Sequence, residues 1–172
     1  QKWMGTSCCP AWSVMAKKTY PEHAGYISMS LTPMVLTGRM IKKQHPDCKV
    51  VFIGPCAAKK LEASRRSVRS DIDFVLTFEE MAGVFDAKGI DFDKLEVEES
   101  LQTSSSLGKG FAASGGVAAA VVNAIHCIDP EMEVKTVKAE GLSECKKMLA
   151  MAKAGRYDGY LLEGMACPGG CM

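Results

Sequence analysis

The sequence predicts an α/β fold in which a mainly parallel sheet is flanked by helices. Short apolar runs indicate strands, and a helical pattern lies between successive runs; the runs are at 49–54, 73–77, 133–139 and 157–162. Strands that alternate with helices are typical of a parallel sheet, because a crossover is needed to connect two parallel strands. The first run is largely apolar, so we expect it to be a buried strand. The 172 residues fit one domain, or a large piece of a bigger one.

Proline and capping residues predict where the helices begin. Pro10 and Pro33 each suit the first turn of a helix. Thr77, with Glu80 three residues later, has the pattern of a capping box. Ser143 is predicted to cap the helix that precedes the last strand. These four starts divide the chain into segments that agree with the alternating pattern.

A glycine-rich stretch at 107–116 follows a segment that is predicted to be mostly irregular, 91–114. It lacks the spacing of a P-loop, so phosphate binding is disfavoured. We expect this stretch to pack closely against another backbone or a cofactor, because glycine leaves room for such an approach. The alanine- and valine-rich helix that follows, 117–126, is expected to be buried.

Composition excludes several classes of function. The net charge of +1 argues against a nucleic-acid partner or an acidic membrane surface, and no apolar run is long enough to span a bilayer. Eight cysteines without a recognisable secretory signal indicate metal ligands or redox groups rather than disulfides. We therefore expect a protein of the reducing cytoplasm with no nucleic-acid partner and no membrane span.

Five cysteines lie in three short loops that also contain proline. The loops are TSCCPAW at 6–12, GPCAAK at 54–59 and EGMACPGGC at 163–171. Thiolates in such loops are typical ligands of iron–sulfur clusters. The second and third loops each follow a predicted strand, and open parallel sheets bind ligands beyond the carboxyl ends of their strands. One shared site is therefore predicted. The other cysteines are expected to be small buried apolar side chains: Cys48, Cys127 and Cys145.

Taken together, the three loops resemble the signature motifs of the catalytic domain of iron-only (di-iron) hydrogenases. DIDFVLTFEEM at 71–81 and GFAASGGVAAAVV at 110–122 resemble further stretches of that family, so the resemblance covers nearly all of the chain. It implies a two-lobed α/β catalytic domain of which residues 1–172 form one lobe. The chain opens on Gln1 and stops one residue after Cys171, so we expect a segment that is incomplete at both ends, or one half of an intertwined domain.

The resemblance implies a 4Fe-4S cluster bridged to a di-iron subcluster with carbon monoxide, cyanide and dithiolate ligands. The cluster ligands at matching positions are Cys9, Cys56, Cys167 and Cys171. Cys171 is also the implied bridge to the di-iron part. Thiolates suit iron, and a bridging thiolate couples the electron store to the iron that binds hydrogen. An isolated fragment need not carry this cofactor.

The same resemblance assigns roles to side chains around the cluster. Cys8 matches the thiol that passes protons, a general acid–base role, and Ser28 falls at the spacing of a relay hydroxyl. Lys59 matches the lysine that donates to a cyanide ligand, since an ammonium is a compact cation with three donors; Glu62 matches the family's acidic position, and Lys60 is expected to face solvent. The positions that match the lining of the di-iron pocket are Pro33, Phe111 and Met165. For each, ordinary packing or a plain loop position is the alternative.

Two positions depart from the family pattern. Gly54 stands where the second motif usually has methionine, and Met34 stands where many members have glutamine. The loss of a bulky, polarizable neighbour is expected to alter the potential of the cluster and its access to solvent. Both changes indicate a subgroup away from the best-studied enzymes, either sensory or slower.

The resemblance implies reversible reduction of protons to hydrogen, with electrons from a ferredoxin-type carrier. The implied partners are that carrier, the remaining parts of the same hydrogenase and the maturation proteins that build the di-iron part. We expect the isolated fragment not to turn over. The alternatives are a hydrogen-sensing domain with the same cofactor, a hydrogenase-like iron–sulfur assembly protein, and a structural cysteine-rich α/β domain.

Overall fold

The computed structural model describes residues 2–96 and 104–172, which form two compact units. The first unit combines Gln1–Thr32 with Ser105–Met172, and the second is Pro33–Ser104. The second unit is therefore an insertion in the sequence of the first. The predicted α/β class, with parallel strands flanked by helices, is confirmed. The described strands form two sheets, however, whereas one was expected, and each sheet belongs to a different unit.

The elements follow one another in an alternating order. They are β1 (Met4–Gly5), α1 (Pro10–Thr19), α2 (Pro33–Gln44), β2 (Val51–Gly54), α3 (Ala58–Ala63), β3 (Phe74–Thr77), α4 (Phe78–Ala87), α5 (Ser106–Gly110), α6 (Gly116–Ile128), β4 (Lys135–Glu140), α7 (Leu142–Lys153) and β5 (Tyr160–Met165). There are also two 3-10 helices among the described residues, Pro21–Tyr26 and Phe92–Lys94. The second lies in the stretch that was expected to be mostly irregular. The predicted helix starts at the two prolines and at the capping box are confirmed. None of the described helices is long and apolar enough to cross a bilayer.

The sheet of the first unit has the order β1-β5-β4, and all its strands are parallel. Strand β5 is central, so it is paired on both sides, and its residues 161–165 are all buried. Helices α1 and α6 contact β5, while α7 contacts β4 and α1. The largest fully buried side chains of the core include Trp12, Ile27, Leu149 and Leu162.

One glycine in β5 makes the packing of α1 possible. A Cβ atom added at Gly164 would overlap the indole ring of Trp12. The indole also donates from Nε1 to the carbonyl oxygen of Thr6 at 3.0 Å. Trp12 therefore lies flat against the central strand and fixes the loop that follows β1.

The second unit contains the parallel pair β2 and β3, followed by α4. The capping box is complete, because Thr77 and Glu80 exchange side-chain and backbone hydrogen bonds. The prediction that the 49–54 strand is buried is wrong: Val51 and Ile53 are 47% and 45% exposed. β-Branched residues identify a strand, but they do not specify whether a second layer covers both of its faces.

Three further expectations need correction. Helix α7 begins at Leu142 and is preceded by Gly141 at φ 77°, so Ser143 lies inside the helix and is not its cap. Helix α6 is buried only at Val117 and Ala118, because its later turns face outward. The stretch 91–114 contains α5 as well as a 3-10 helix, and its residues 97–103 lie outside the described part of the chain.

Candidate metal centre

The first and third cysteine loops lie at the same edge of one sheet. Residues 6–9 follow β1, and residues 166–171 follow β5. Since these strands are parallel neighbours, both loops leave the sheet at its carboxyl edge, where open parallel sheets place their ligands. The sequence pattern did not reveal this for the first loop, because β1 has only two residues.

The second cysteine loop follows a strand of the other sheet. Cys56 comes after β2, which pairs with β3 in the second unit. The expectation that the second and third loops follow strands of one sheet is therefore wrong, because alternation along the chain does not specify which strands pair. The structure places Cys9, Cys167 and Cys171 in the first unit and Cys56 in the second.

Cys9 is held against the third loop. The backbone N–H of Ala166 donates to Cys9 Sγ at 3.5 Å. Cys9 is buried, with only 6% of its surface exposed. The N–H of Thr6 donates to the carbonyl oxygen of Leu162 at 2.9 Å, which fixes the chain that leads to Cys9. Ala166 directly precedes Cys167, so two predicted ligands from distant motifs lie on adjoining backbone segments.

The third loop is closed by hydrogen bonds to the glycine-rich stretch. The N–H of Cys171 donates to the carbonyl oxygen of Ala112 at 2.8 Å, and that of Ser114 donates to the carbonyl oxygen of Gly169 at 3.0 Å. Gly170 has φ 104°, and a Cβ atom there would overlap the carbonyl oxygen of Ala112. The predicted close packing of the glycine-rich stretch against another backbone is thus confirmed. Within this loop Cys167 is exposed and Cys171 is half-buried.

A carboxylate from β4 also contacts the third loop. Glu140 accepts a hydrogen bond from the N–H of Gly169 at 2.9 Å. This bond, together with attraction to Lys138, lowers the pKa of Glu140 below its ordinary value. An ionised Glu140 is an acceptor only, so it favours the loop conformation that presents the Gly169 N–H.

Glu163 is a site residue that the sequence reading did not identify as such. It is 0% exposed within β5, and its two carboxylate oxygens accept from the N–H groups of Gly115 and Ala118, each at 2.7 Å. The only signal in the sequence was an acidic residue inside an otherwise apolar strand. Its partners are backbone groups at the start of α6, which no sequence pattern specifies.

The second unit contains a buried ion pair beside Cys56. Lys59 Nζ and Glu62 Oε2 are 2.8 Å apart, and both residues are buried on α3. The N–H of Lys59 donates to the carbonyl oxygen of Cys56 at 3.1 Å, which places the helix directly after the cysteine. Lys60 faces solvent, as expected, and pairs with Glu80.

The predicted proton-path residues, Cys8 and Ser28, lie on neighbouring segments of the first unit. The N–H of Ser28 donates to the carbonyl oxygen of Gly5 at 2.8 Å, so residue 28 runs beside the segment that leads to Cys8. Ser28 Oγ accepts from the N–H of Ser30 at 3.1 Å, while Ser7 Oγ donates to the Ser30 carbonyl oxygen at 3.1 Å. Cys8 is half-buried. The proton-transfer roles of Cys8 and Ser28 stay predictions.

The three residues that were matched to the lining of the di-iron pocket differ in burial. Met165 is buried in the core at the end of β5, and Phe111 is half-buried against that core. Pro33 is exposed at the first position of α2, in the second unit. Their lining roles stay predictions.

The cysteines outside the motifs differ from one another. Cys145 is fully buried, as expected. Burial is the larger cause that raises the pKa of its thiol to about 11, and the nearby Cys9 is the next. Its Sγ donates toward two carbonyl oxygens, those of Ala139 and Met165, each at 3.5 Å. Cys48 is only half-buried, and Cys127 is exposed near the end of α6. The prediction for Cys127 is wrong, because an apolar helix pattern does not show where the helix leaves the core.

The donor set fits an iron–sulfur cluster. Soft thiolates are the ligands that such clusters use, and the Ala166 N–H directed at Cys9 Sγ is the kind of contact that tunes a cluster thiolate. Within residues 2–96 and 104–172, no group of three or more His, Cys, Asp or Glu side chains is arranged to hold a metal ion. The iron and sulfide atoms of a cluster lie between the protein ligands. The four thiolates can therefore lie farther apart than the ligands of a single metal ion.

Comparisons with known proteins find hydrogenases and iron–sulfur cluster assembly factors among the relatives of this chain. The chain is 32% identical to the periplasmic Fe hydrogenase large subunit of Nitratidesulfovibrio vulgaris, over 97% of this chain and 49% of that protein. It is 29% identical to the cytosolic Fe-S cluster assembly factor NAR1 of Kluyveromyces lactis, over 78% of this chain and 31% of that protein. The chain therefore spans about half the length, or less, of these relatives.

A solved structure shares the fold. A variant of the FeFe-hydrogenase HydA1 from Chlamydomonas reinhardtii superimposes with a TM-score of 0.73 at 23% identity, covering 98% of this chain and 60% of that one. At this identity the likeness shows the fold alone. The family described as the C-terminal domain of the iron only hydrogenase large subunit matches residues 1–172, and the chain belongs to that family.

Proposed function

We propose that this chain is a segment of the catalytic domain, forming one lobe of it, of a hydrogenase that interconverts protons and hydrogen. The observation that supports this most directly is the Ala166 N–H bound to Cys9 Sγ, which joins the first and third cysteine motifs at one sheet edge. When bound, the cofactor supplies electron storage and an iron that binds hydrogen. The protein supplies ligands, proton transfer and exclusion of water.

Four thiolates would hold the 4Fe-4S part: Cys9, Cys56, Cys167 and Cys171. Cys171 would also bridge to the di-iron part. The backbone around the third loop is already fixed by Ala112 and Glu140. A loop held in this way presents its sulfur atoms without first losing much conformational freedom, which favours cluster binding.

The remaining roles belong to side chains near those ligands. Cys8 would take up and release protons at Sγ, and Ser28 would extend that path. Glu62 holds the ammonium of Lys59 in a buried ion pair, which orients it to donate to a cyanide ligand. The residues that would exclude water from the di-iron part are Pro33, Phe111 and Met165.

A second candidate function is iron–sulfur cluster assembly without a di-iron part. The similarity to the NAR1 assembly factor over 78% of this chain favours it. A third, hydrogen sensing with the same cofactor, is favoured by Gly54 and Met34, which depart from the pattern of the catalytic family. The pairing of Cys167 with Cys171 and the presence of Lys59 support the hydrogenase over the assembly factor.

We further propose a reducing, cytoplasmic location and three kinds of partner. Cysteines in short proline-containing loops are typical metal ligands, and a reducing compartment keeps such side chains as thiols, which supports this location. The proposed partners are a ferredoxin-type electron carrier, the remaining parts of the same hydrogenase, and maturation proteins that supply the di-iron part.

Reconstitution of the purified chain with iron and sulfide tests the cluster. We expect about four iron and four sulfide per chain in the wild type, loss of most of both in Cys56→Ala, and no loss in Cys127→Ala, the matched control at an exposed cysteine outside the motifs. Full iron content in Cys56→Ala would contradict the assigned ligand set.

A second experiment separates the candidate functions. The chain is expressed together with the remaining parts of the hydrogenase and with di-iron maturation proteins, and the matured protein is examined by infrared spectroscopy. Bands from bound carbon monoxide and cyanide, with hydrogen evolution from a reduced ferredoxin, are expected for the hydrogenase. Bands with very slow turnover would indicate the sensor, and a 4Fe-4S cluster without such bands would indicate the assembly protein.

A further inference from the structure

Two thiols contact opposite ends of one peptide group. Cys145 Sγ donates to the carbonyl oxygen of Met165 at 3.5 Å, and the N–H of the next residue, Ala166, donates to Cys9 Sγ at 3.5 Å. The four groups form a continuous chain from one sulfur to the other through the Met165–Ala166 peptide. Cys145 lies on α7 and Cys9 precedes α1, so three separate elements meet at this peptide.

Three of the four residues in this chain of hydrogen bonds are buried. Cys145 is 0% exposed, Met165 3% and Cys9 6%, while Ala166 is half-buried. Hydrogen bonds in largely buried surroundings are electrostatically stronger than in solvent. The Met165 carbonyl oxygen also accepts from the N–H of Gly141 at 2.9 Å, so both of its lone pairs are used.

The direction of each bond follows from the partners. Both acceptors near Cys145 Sγ are carbonyl oxygens, those of Ala139 and Met165, so this sulfur must carry its proton. Cys9 Sγ faces an N–H donor, so it is a hydrogen-bond acceptor. The two sulfur atoms therefore have opposite hydrogen-bonding roles. Cys145 is a donor inside the core, and Cys9 is an acceptor at the loop.

We propose that Cys145 is a positioning residue for Cys9, and that it acts through the Met165–Ala166 peptide to orient and strengthen the N–H bond to the Cys9 sulfur. Hydrogen bonds arranged in series polarise one another, so donation to the carbonyl oxygen makes the N–H of the same peptide a better donor. The geometric part of the proposal, that Cys145 orients the Ala166 N–H, is supported by the contacts alone. The consequence for a cluster rests on the proposed function.

That consequence is a change in reduction potential. An N–H bond to a ligating sulfur stabilises the more negative, reduced state of a cluster, so it raises the potential. Loss of the Cys145 thiol weakens the Ala166 N–H bond and shifts the potential to more negative values. Cys145→Ser retains a hydrogen-bond donor of similar size, so the potential is expected to stay at the wild-type value or above it.

Nuclear magnetic resonance of the reduced, metal-free chain tests the geometric part. In Cys145→Ala we expect the Ala166 amide proton to move upfield and to exchange faster with solvent. In Cys145→Ser it stays at the wild-type position or moves downfield, because a hydroxyl is the stronger donor. Cys127→Ala serves as the control and leaves the resonance unchanged. An unmoved Ala166 resonance in a folded Cys145→Ala variant would overturn the proposal.

Redox titration of the reconstituted cluster tests the consequence. At equal iron content, Cys145→Ala is expected to titrate at a more negative potential than the wild type, and Cys145→Ser at the wild-type potential or above it. Equal potentials in all three proteins contradict the coupling. If Cys145→Ala does not fold, a Cys145→Ser variant with an Ala166 resonance upfield of the wild type contradicts it instead. If the wild-type chain binds no cluster even when it is expressed with the remaining parts of the hydrogenase, the proposed function is overturned, while the amide measurement still tests the geometric part.

Discussion

Glu163 binds the backbone N–H of Ala118 through one carboxylate oxygen at 2.7 Å, which joins the central strand of the first unit to the first turn of α6. Its other oxygen binds the N–H of Gly115, the residue before the helix, at 2.7 Å. These are the two N–H groups that a capping box satisfies from within a helix. Here a residue from a distant strand satisfies both, and it fixes the start of the helix directly after the stretch that holds the third cysteine loop.

Replacement of Glu163 by glutamine is therefore expected to destabilise the first unit. In Glu163→Gln an NH2 group replaces one of the two carboxylate oxygens, and since an NH2 is a donor, the N–H that faced that oxygen loses its acceptor. Such a loss costs about 1–3 kcal/mol. The free energy of unfolding, measured by denaturant titration, gives the value, and hydrogen exchange at Gly115 and Ala118 should accelerate.

Glu144→Gln is the matched control for this variant. Glu144 is exposed on α7 and pairs with Lys147 at the surface, and such pairs contribute about 0–1 kcal/mol. Equal effects of the two substitutions would show that the buried carboxylate does not stabilise α6 in particular.

Gly164→Ala is expected to destabilise the protein because the new methyl group would overlap the indole of Trp12. Both the strand and the ring are buried, so one of them must shift, and overpacking of this kind costs about 1–3 kcal/mol. Thermal unfolding is the measurement. Gly25→Ala is the control in the same unit, since nothing lies within 4 Å of a Cβ atom there; a change in Gly25→Ala as large as in Gly164→Ala would refute the steric explanation.

Local signals predicted helix starts well, but they did not predict which strands pair. Pro10, Pro33 and the Thr77–Glu80 box act within one turn of a helix, so the sequence alone was sufficient to place them. The last strand was predicted to end at residue 162, yet β5 continues to Met165. A charge and a glycine, at 163 and 164, interrupt the apolar pattern, and each is explained only by a distant partner.

The same distinction applies to the candidate site. The residue types and spacing of the cysteine loops predicted an iron–sulfur ligand set, because that chemistry depends on the side chains themselves. The role of Cys145 was not predictable, since its partners are the carbonyl oxygens of Ala139 and Met165. Backbone partners of this kind leave no mark in the sequence, and only the fold brings them together.

The buried pair Lys59 and Glu62 predicts a contrast between neighbouring lysines. Lys59→Met leaves the Glu62 carboxylate, whose side chain is 4% exposed, without this partner, and breaking a buried pair in this way costs about 3–5 kcal/mol. Lys60→Met removes an ion pair with Glu80 whose side chains are 42% and 45% exposed, so a change of at most about 1 kcal/mol is expected. Denaturant titration of both variants measures the contrast, and similar losses would contradict the structural role of the buried pair.

Asp73 makes the stability of the second unit depend on pH. Its hydrogen bond with Lys42, then that with the N–H of Val50, and attraction to Lys49 lower its pKa from the ordinary 3.8 to about 2. The folded state therefore favours the carboxylate, and this contribution is fully present well above pH 3.8 and is lost as the pH falls toward 2.

Asp73→Asn should accordingly lower the stability of the β2–β3 pair at neutral pH, and the difference from the wild type should vanish near pH 2. Native-state hydrogen exchange of β2 amides at neutral pH, and acid denaturation followed by circular dichroism, measure the two ends of this range. Because Lys42 and Lys49 retain contact with solvent, added salt should reduce the difference. Asp86→Asn, at an exposed position on α4, is the control; a difference from the wild type that persists unchanged below pH 2 would show that the carboxylate charge is not its cause.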